Sequence, residues 1–361
     1  MPLRWRREWI SDERYEACGV FDVDGDGVLD IVSGAFWYQG PDFRKKHFLG
    51  EVMAAGEYYD DFSVIPLDVN GDGRIDFVTG GWFGKKLVWK ENPGKTGETW
   101  PVHLIAEAGN IETTRAWDID GDGQMEIVPN TPAVPWVKAW RPVKKGGGYF
   151  EDKLIFSFPA GQVQGHGLGC GDIAGNGRSD IVLSEGWLEA PENPWQGKWQ
   201  WHPEFHLGRA SVPILVVDVD GDGVNDLIVG QAHGYGLDWW QQCRQGSTRV
   251  WKRHPIDPFN AQYHDLAWAD IDGDGQGELI TGKRHRAHCG NDPGEFDDYG
   301  LYYFKWTGES FAKQVICYGK PGETKGAGIQ MALADLRGSG RLDIIAPGKD
   351  GLYVFFNEGE Q

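Results

Sequence analysis

The chain is poor in cysteine, with five in 361 residues and no spacing that suggests a pairing framework. An odd count of this kind excludes a disulfide-built scaffold and points to a reducing compartment. No apolar run is long enough to cross a bilayer, and no secretory hydrophobic segment opens the chain. A cytoplasmic location is therefore expected; secretion or a periplasmic location is the alternative if a leader has been removed. Basic runs are missing as well, and the formal net charge is −19. An acidic surface repels phosphate, which argues against nucleic acid or a membrane surface as partner. Long amphipathic helical patterns are also absent, which leaves an all-β chain. Oligomeric state is not legible.

What the sequence does have is a nine-residue acidic pattern in seven copies: DVDGDGVLD from Asp22, DVNGDGRID from Asp68, DIDGDGQME from Asp118, DIAGNGRSD from Asp172, DVDGDGVND from Asp218, DIDGDGQGE from Asp270 and DLRGSGRLD from Asp335. Their starts lie 46, 50, 54, 46, 52 and 65 residues apart. A period of this size means a solenoid or a propeller. Each copy sits between two short aliphatic and β-branched runs, such as FSVIPLDV before and IDFVTG after, bounded by glycine. That is the signature of a hairpin closed by the acidic loop. An aromatic run follows (KLVWKEN, LDWWQQ, LYYFKW), then one of alternating charge (FRKKHFL, RVWKRHPI), suited to an exposed outer strand. The last unit lacks this fourth run, but LRWRREWI at residues 3–10 has its pattern. The expected fold is one domain over 1–361: a seven-bladed β-propeller of four-stranded blades, with the N-terminal strand closing the last blade.

Carboxylates at positions 1, 3, 5 and 9 and a free carbonyl at 7 offer hard oxygen ligands, a shortened relation of the EF-hand loop. Five loops keep the set: Asp22, Asp24, Asp26 and Asp30; Asp68, Asn70, Asp72 and Asp76; Asp118, Asp120, Asp122 and Glu126; Asp218, Asp220, Asp222 and Asp226; Asp270, Asp272, Asp274 and Glu278. Structural calcium or magnesium is expected in these loops; the alternative is that the carboxylates only cap tight turns. In the fourth loop Ala174 replaces a ligand. In the seventh Arg337 and Ser339 do, and Arg337 is expected to supply the positive charge itself.

Hairpin geometry puts the acidic loops on one face and the entries to the innermost strands on the other. Of ten histidines, His166, His233, His264, His285 and His288 fall on that second rim. His166, His233 and His264 come from three successive blades, and three neutral imidazoles with an open position suit zinc. Asp265 is a candidate partner to them. Glu112 and Asp61 on the same rim are candidate substrate-binding carboxylates, and Trp37, Trp82 and Trp187 are candidate platforms for a sugar ring. The segment 282–300, the longest connection within a blade, overhangs the same sector, as does the one at 185–199.

This pattern resembles the FG-GAP/VCBS type of seven-bladed propeller over essentially the whole chain. HDLAWADIDGDGQGELITGK, from His264, resembles a blade of aldos-2-ulose dehydratase, with echoes at GHGLGCGDI and QAHGYG around His166 and His233. The resemblance implies zinc-assisted loss of water from keto-sugars. His264 and His285 resemble the paired histidines of ulvan-lyase propellers, which cleave uronate glycosides by β-elimination. On either comparison Arg115 or Arg284 steadies the developing enolate, and His264, His285 or His288 exchanges the proton, with Tyr59 and Tyr263 as further candidates. A binding propeller for glycan or protein, and a glycoside hydrolase using Glu16, Asp60, Asp61 or Glu112, are the other classes the sequence allows.

Overall fold

The computed structural model describes residues 2–143, 149–246 and 248–360. Among them every regular element is a strand, and no helix is long and apolar enough to cross a membrane. Seven four-stranded antiparallel sheets are arranged as blades. Their innermost strands are Gly19–Phe21, Ile65–Leu67, Thr113–Trp117, Leu168–Gly171, Leu215–Val217, Tyr263–Ala269 and Ala332–Ala334. Leu3–Ser11 pairs with Leu352–Glu360 as the outermost strand of the seventh blade, with Arg6 opposite Phe356. The ring therefore closes as the sequence predicts, and chain end and chain start lock each other.

Local chemistry explains each hairpin. In the first loop Asp22 Oδ1 accepts the N–H of Gly25 at 2.7 Å and Oδ2 that of Gly27 at 2.9 Å. Gly25 and Gly27 have φ of 77° and 84°, left-handed backbone that favours glycine. The ninth-position carboxylate works on both sides of its strand: Asp30 Oδ2 takes the N–H of Val23 and Oδ1 that of Gly40, each at 2.8 Å. So the turn-capping role is present in full.

Tryptophans build the blades' outer halves. Trp37, Trp89, Trp187 and Trp239 each lie directly across from a histidine of the outermost strand, His47, His103, His202 and His254. Each pair stacks, with centroids 4.2–4.5 Å apart. These are cross-strand aromatic contacts of the kind that stabilise sheets. Between blades the second-strand aliphatics, such as Ile127, Ile181 and Ile280, are buried.

One element goes beyond the four-strand pattern. The link from the first blade to the second carries a small hairpin, Ala54–Ala55 with Tyr58–Tyr59. It reaches the sixth blade's long connection: Glu57 pairs with Arg286 at 2.7 Å, and the Tyr58 hydroxyl donates to the Ala287 carbonyl at 2.8 Å.

Candidate metal centre

Four side chains from four blades converge where the innermost strands begin. Glu112 immediately precedes the third blade's inner strand and His166 stands just before the fourth's. His233 follows the fifth blade's second strand, and His264 opens the sixth's inner strand. One ligand atom of each lies within 4.8 Å of all the others. Glu112 Oε1 is 3.0 Å from His264 Nε2 and 3.5 Å from His166 Nε2. All four are buried or nearly so.

Partners outside the cluster fix the tautomers of His166 and His233. His166 Nδ1 lies 2.7 Å from the Ala210 carbonyl oxygen, which can only accept. His233 Nδ1 lies 3.0 Å from Asp292 Oδ2. Both Nδ1 atoms therefore carry the proton, and both Nε2 atoms present lone pairs. Those two Nε2 atoms are 3.0 Å apart. Two lone pairs that close repel unless a cation shares them. Burial pushes the His233 imidazole down to about 4. His264, buried and facing the Arg284 guanidinium, is held well below its ordinary value. Burial alone would raise the Glu112 carboxyl, but the imidazoles of His166 and His264 beside it hold it well below the usual range. Three imidazole nitrogens and one carboxylate oxygen suit a borderline divalent cation, so the residues fit a metal.

Asp292 extends the cluster. Its second oxygen accepts from His288 Nδ1 at 2.9 Å, and the His288 ring stacks on His233 with centroids 4.0 Å apart and planes 2° apart. In its neutral form, with the proton on Nδ1 toward Asp292, His288 carries a lone pair on Nε2. A cavity of about 250 Å³ adjoins, lined by Tyr58, Phe62, Trp82, Phe83, Glu112, Arg284 and His288.

The other predicted site residues are placed elsewhere or are already engaged. His285 turns from the imidazoles: it packs at a tilt against Tyr299, centroids 4.6 Å apart, and faces Asp350 at 3.6 Å. Arg115 is paired with Asp265 at 2.7 Å, so Asp265 serves the guanidinium rather than a histidine. Arg284 is the one predicted cation on the cavity wall, braced by Glu16 at 2.9 Å and Glu112 at 3.4 Å. Tyr59 packs edge-on against Tyr15. The Tyr263 hydroxyl is buried on Asp257 at 2.7 Å, so neither tyrosine faces the cavity. Trp82 lines it, whereas Trp37 and Trp187 are consumed by their histidine stacks inside the blades. Asp61 is buried on Lys90 and Thr79, and Asp60 accepts the N–H groups of Phe83 and Gly84. No two of the rim carboxylates considered for hydrolysis stand free to flank a bond.

Sequence reasoning missed Asp292, Tyr58, Phe62 and Phe83. The 282–300 segment pointed to Asp292, which lies within it. Nothing local marked the aromatics, because their role depends on the small hairpin. Glu112 was read as a substrate contact, and the structure brings it among the imidazoles instead.

His285 has a measurable consequence. Burial pushes its imidazole down to about 4. The unfolded chain, with histidine near ~6.5, then takes up that proton first as the pH falls. Stability from this residue is complete above pH ~6.5 and is lost between there and about 4, to the extent of roughly 3 kcal/mol. His285→Phe, which keeps a ring on Tyr299, should flatten the stability curve in that window. Denaturant midpoints at pH 7 and pH 5 check this, and an unchanged pH dependence would refute it.

In comparisons with known proteins, a family model described as FG-GAP-like repeat matches residues 35–128 and 196–281. Aldos-2-ulose dehydratase of Phanerodontia chrysosporium is 23% identical over 286 residues, a match covering 67% of this chain and 29% of that protein. The chain thus spans well under half of that relative's length. The structure of BBS1N in complex with ARL6DN, soaked with mercury, aligns over 98% of this chain and 97% of that one, with a TM-score of 0.53 and 8% identity. This likeness concerns the fold alone. The V. cholerae biofilm matrix protein Bap1 is similar at 16% identity and a TM-score of 0.38, covering 91% of this chain and 45% of that one.

Proposed function

We propose that this chain, a seven-bladed propeller of FG-GAP-like repeats, is a carbon–oxygen lyase that eliminates water from a neutral keto-sugar beside a divalent metal, zinc in the first instance. The observation that carries the reading is the pair of lone-pair-bearing Nε2 atoms of His166 and His233, 3.0 Å apart next to Glu112. His166, His233, His264 and Glu112 would hold the metal. When bound it supplies Lewis acidity toward a sugar carbonyl or hydroxyl oxygen. Calcium or magnesium in acidic loops is read as structural. Likeness to aldos-2-ulose dehydratase supports the reaction class.

The chain's own groups do the rest. His288 Nε2 takes the proton from the carbon next to the carbonyl, and Asp292 steadies the imidazolium that results. The electron pair left behind forms the new carbon–carbon double bond as the bond to the β-oxygen breaks. The departing hydroxyl takes the proton back from His288 and leaves as water, so the products are an enone and water. Arg284 holds Glu112 in place. Phe62, Trp82, Phe83 and Tyr58 offer aromatic surface to the C–H face of a ring.

Two features favour a neutral single ring over a uronate polymer. About 250 Å³ is below the ~300–1,000 Å³ of sites for drug-sized ligands. A uronate also requires an uncommitted cation, and those near the centre have partners: Arg284 with Glu16 and Glu112, Arg286 with Glu57, Lys349 with Glu16 at 3.4 Å. Purified protein should contain about one tightly held transition-metal ion and produce enone absorbance from keto-sugars, with at least ~10-fold lower kcat/KM on uronates. Metal with no new absorbance on either class would leave a binding propeller; products labelled from heavy-oxygen water would indicate hydrolysis.

A further inference from the structure

The seven loops look alike in sequence, but one position outside them separates the loops by charge. It is the third-strand residue one step past the partner of the residue that follows loop position nine. Strand register identifies it as Gln39 (after Tyr38, opposite Ile31), Arg141 (after Trp140, opposite Ile127), Gln241 (after Trp240, opposite Leu227) and Lys305 (after Phe304, opposite Leu279). Each reaches its own blade's loop. Gln39 donates to Asp24 at 2.8 Å and Gln241 to Asp220 at 2.7 Å. Arg141 touches Asp120 at 3.3 Å and spends the rest of its guanidinium on Glu151 and the Trp195 ring.

Lys305 does more. Its ammonium bonds Asp272 and Asp274, the latter at 2.9 Å, and stands 3.9 Å from Glu278. Those are the third, fifth and ninth positions of the sixth loop, the oxygens meant to surround an ion. The seventh loop has a related arrangement from within: Arg337 reaches the ninth-position Asp343 at 3.1 Å and Glu358 at 2.9 Å. An ammonium among three carboxylates and a divalent ion among the same three exclude one another, by volume and by charge.

We infer that the sixth loop, despite its complete oxygen set, is not a calcium site: Lys305 is its built-in cation, and the charge at this third-strand position decides which blades depend on divalent metal. The sixth blade carries His264, Arg284 and the 284–298 connection with His288 and Asp292, so the blade holding these groups keeps its shape without calcium. Blades one and five, with a neutral amide at the position, are among those that need the ion. The inference rests on the structural-calcium reading only for blades one and five; its content for blade six is tested separately.

The test is a residue swap read by hydrogen exchange and metal counting on the whole chain. In the parent protein, calcium added after chelation should slow amide exchange in 22–30 and 218–226 and leave 270–278 unchanged. Lys305→Gln, which gives blade six the residue of blades one and five, should make 270–278 calcium-dependent and raise bound calcium by one per chain. Gln241→Lys should do the reverse, lowering bound calcium by one and making 218–226 indifferent to it. Calcium protection of 270–278 in the parent, or a Lys305→Gln protein whose loop calcium fails to protect, overturns the inference. If 22–30 and 218–226 ignore calcium while Lys305→Gln still acquires the dependence, the reading of those two blades fails and that of blade six stands.

Discussion

Glu112→Gln should lose the metal, and with it turnover. The substitution keeps shape and volume but removes the only carboxylate in a ligand set otherwise made of imidazoles. Loss of a group that merely orients a ligand already costs ~10–100-fold in metal affinity, so loss of the charged ligand should cost on the order of 100-fold or more. Fold should survive: Arg284, the buried cation beside Glu112, keeps Glu16 at 2.9 Å. Destabilisation should therefore fall short of the ~3–5 kcal/mol expected when a buried charge loses its sole partner. Metal titration with a competing chelator, beside a thermal melt, reads both. Full-stoichiometry metal at parental affinity in Glu112→Gln would remove the carboxylate from the centre.

His288→Gln makes the complementary case, an enzyme that keeps its metal and loses its chemistry. His288 has a partly exposed side chain and stacks on His233 without sharing the four-ligand cluster. Glutamine can still donate toward Asp292 but offers no basic nitrogen. Proton transfer by a positioned side chain is worth ~10²–10⁴-fold, and a loss of that size in kcat, with KM and metal content near parental, is expected. Asp292→Asn should lose less, since the base remains and only its tautomer and charge support are weakened. The comparison separates a group that moves a proton from one that positions it. Parental kcat in His288→Gln would eliminate it as the base and leave no other imidazole on the cavity wall to take its place.

Much of this was legible in the chain. The loops are local: a nine-residue acidic segment with two glycines folds one way almost regardless of its surroundings. Seven copies at a blade's spacing then compel closure, because a four-stranded sheet cannot bury both faces alone. The outer position of Leu3–Ser11 followed from counting strands, and the convergence of His166, His233 and His264 on one mouth followed from hairpin geometry. Where the reading failed, direction was at stake. Trp37 and Trp187 were assigned to the rim by position along the chain, but strand alternation turns them into the blade against His47 and His202. His285, next to Arg284, shows the same effect: one residue along an extended chain reverses the face.

Thus the sequence by itself determined the ring, its seven hairpins and the convergence of His166, His233 and His264 at the mouth, since all of these depend on short-range pattern and repetition. Only the tertiary structure decided that Glu112 joins them, that Asp292 ties His233 to His288, that a small hairpin brings Tyr58 to the cavity, and that Lys305 fills a loop otherwise equipped for an ion. Each of those pairings spans blades or strands, and the energy of a charge depends on which opposite charge lies within a few ångströms rather than on its neighbours along the chain.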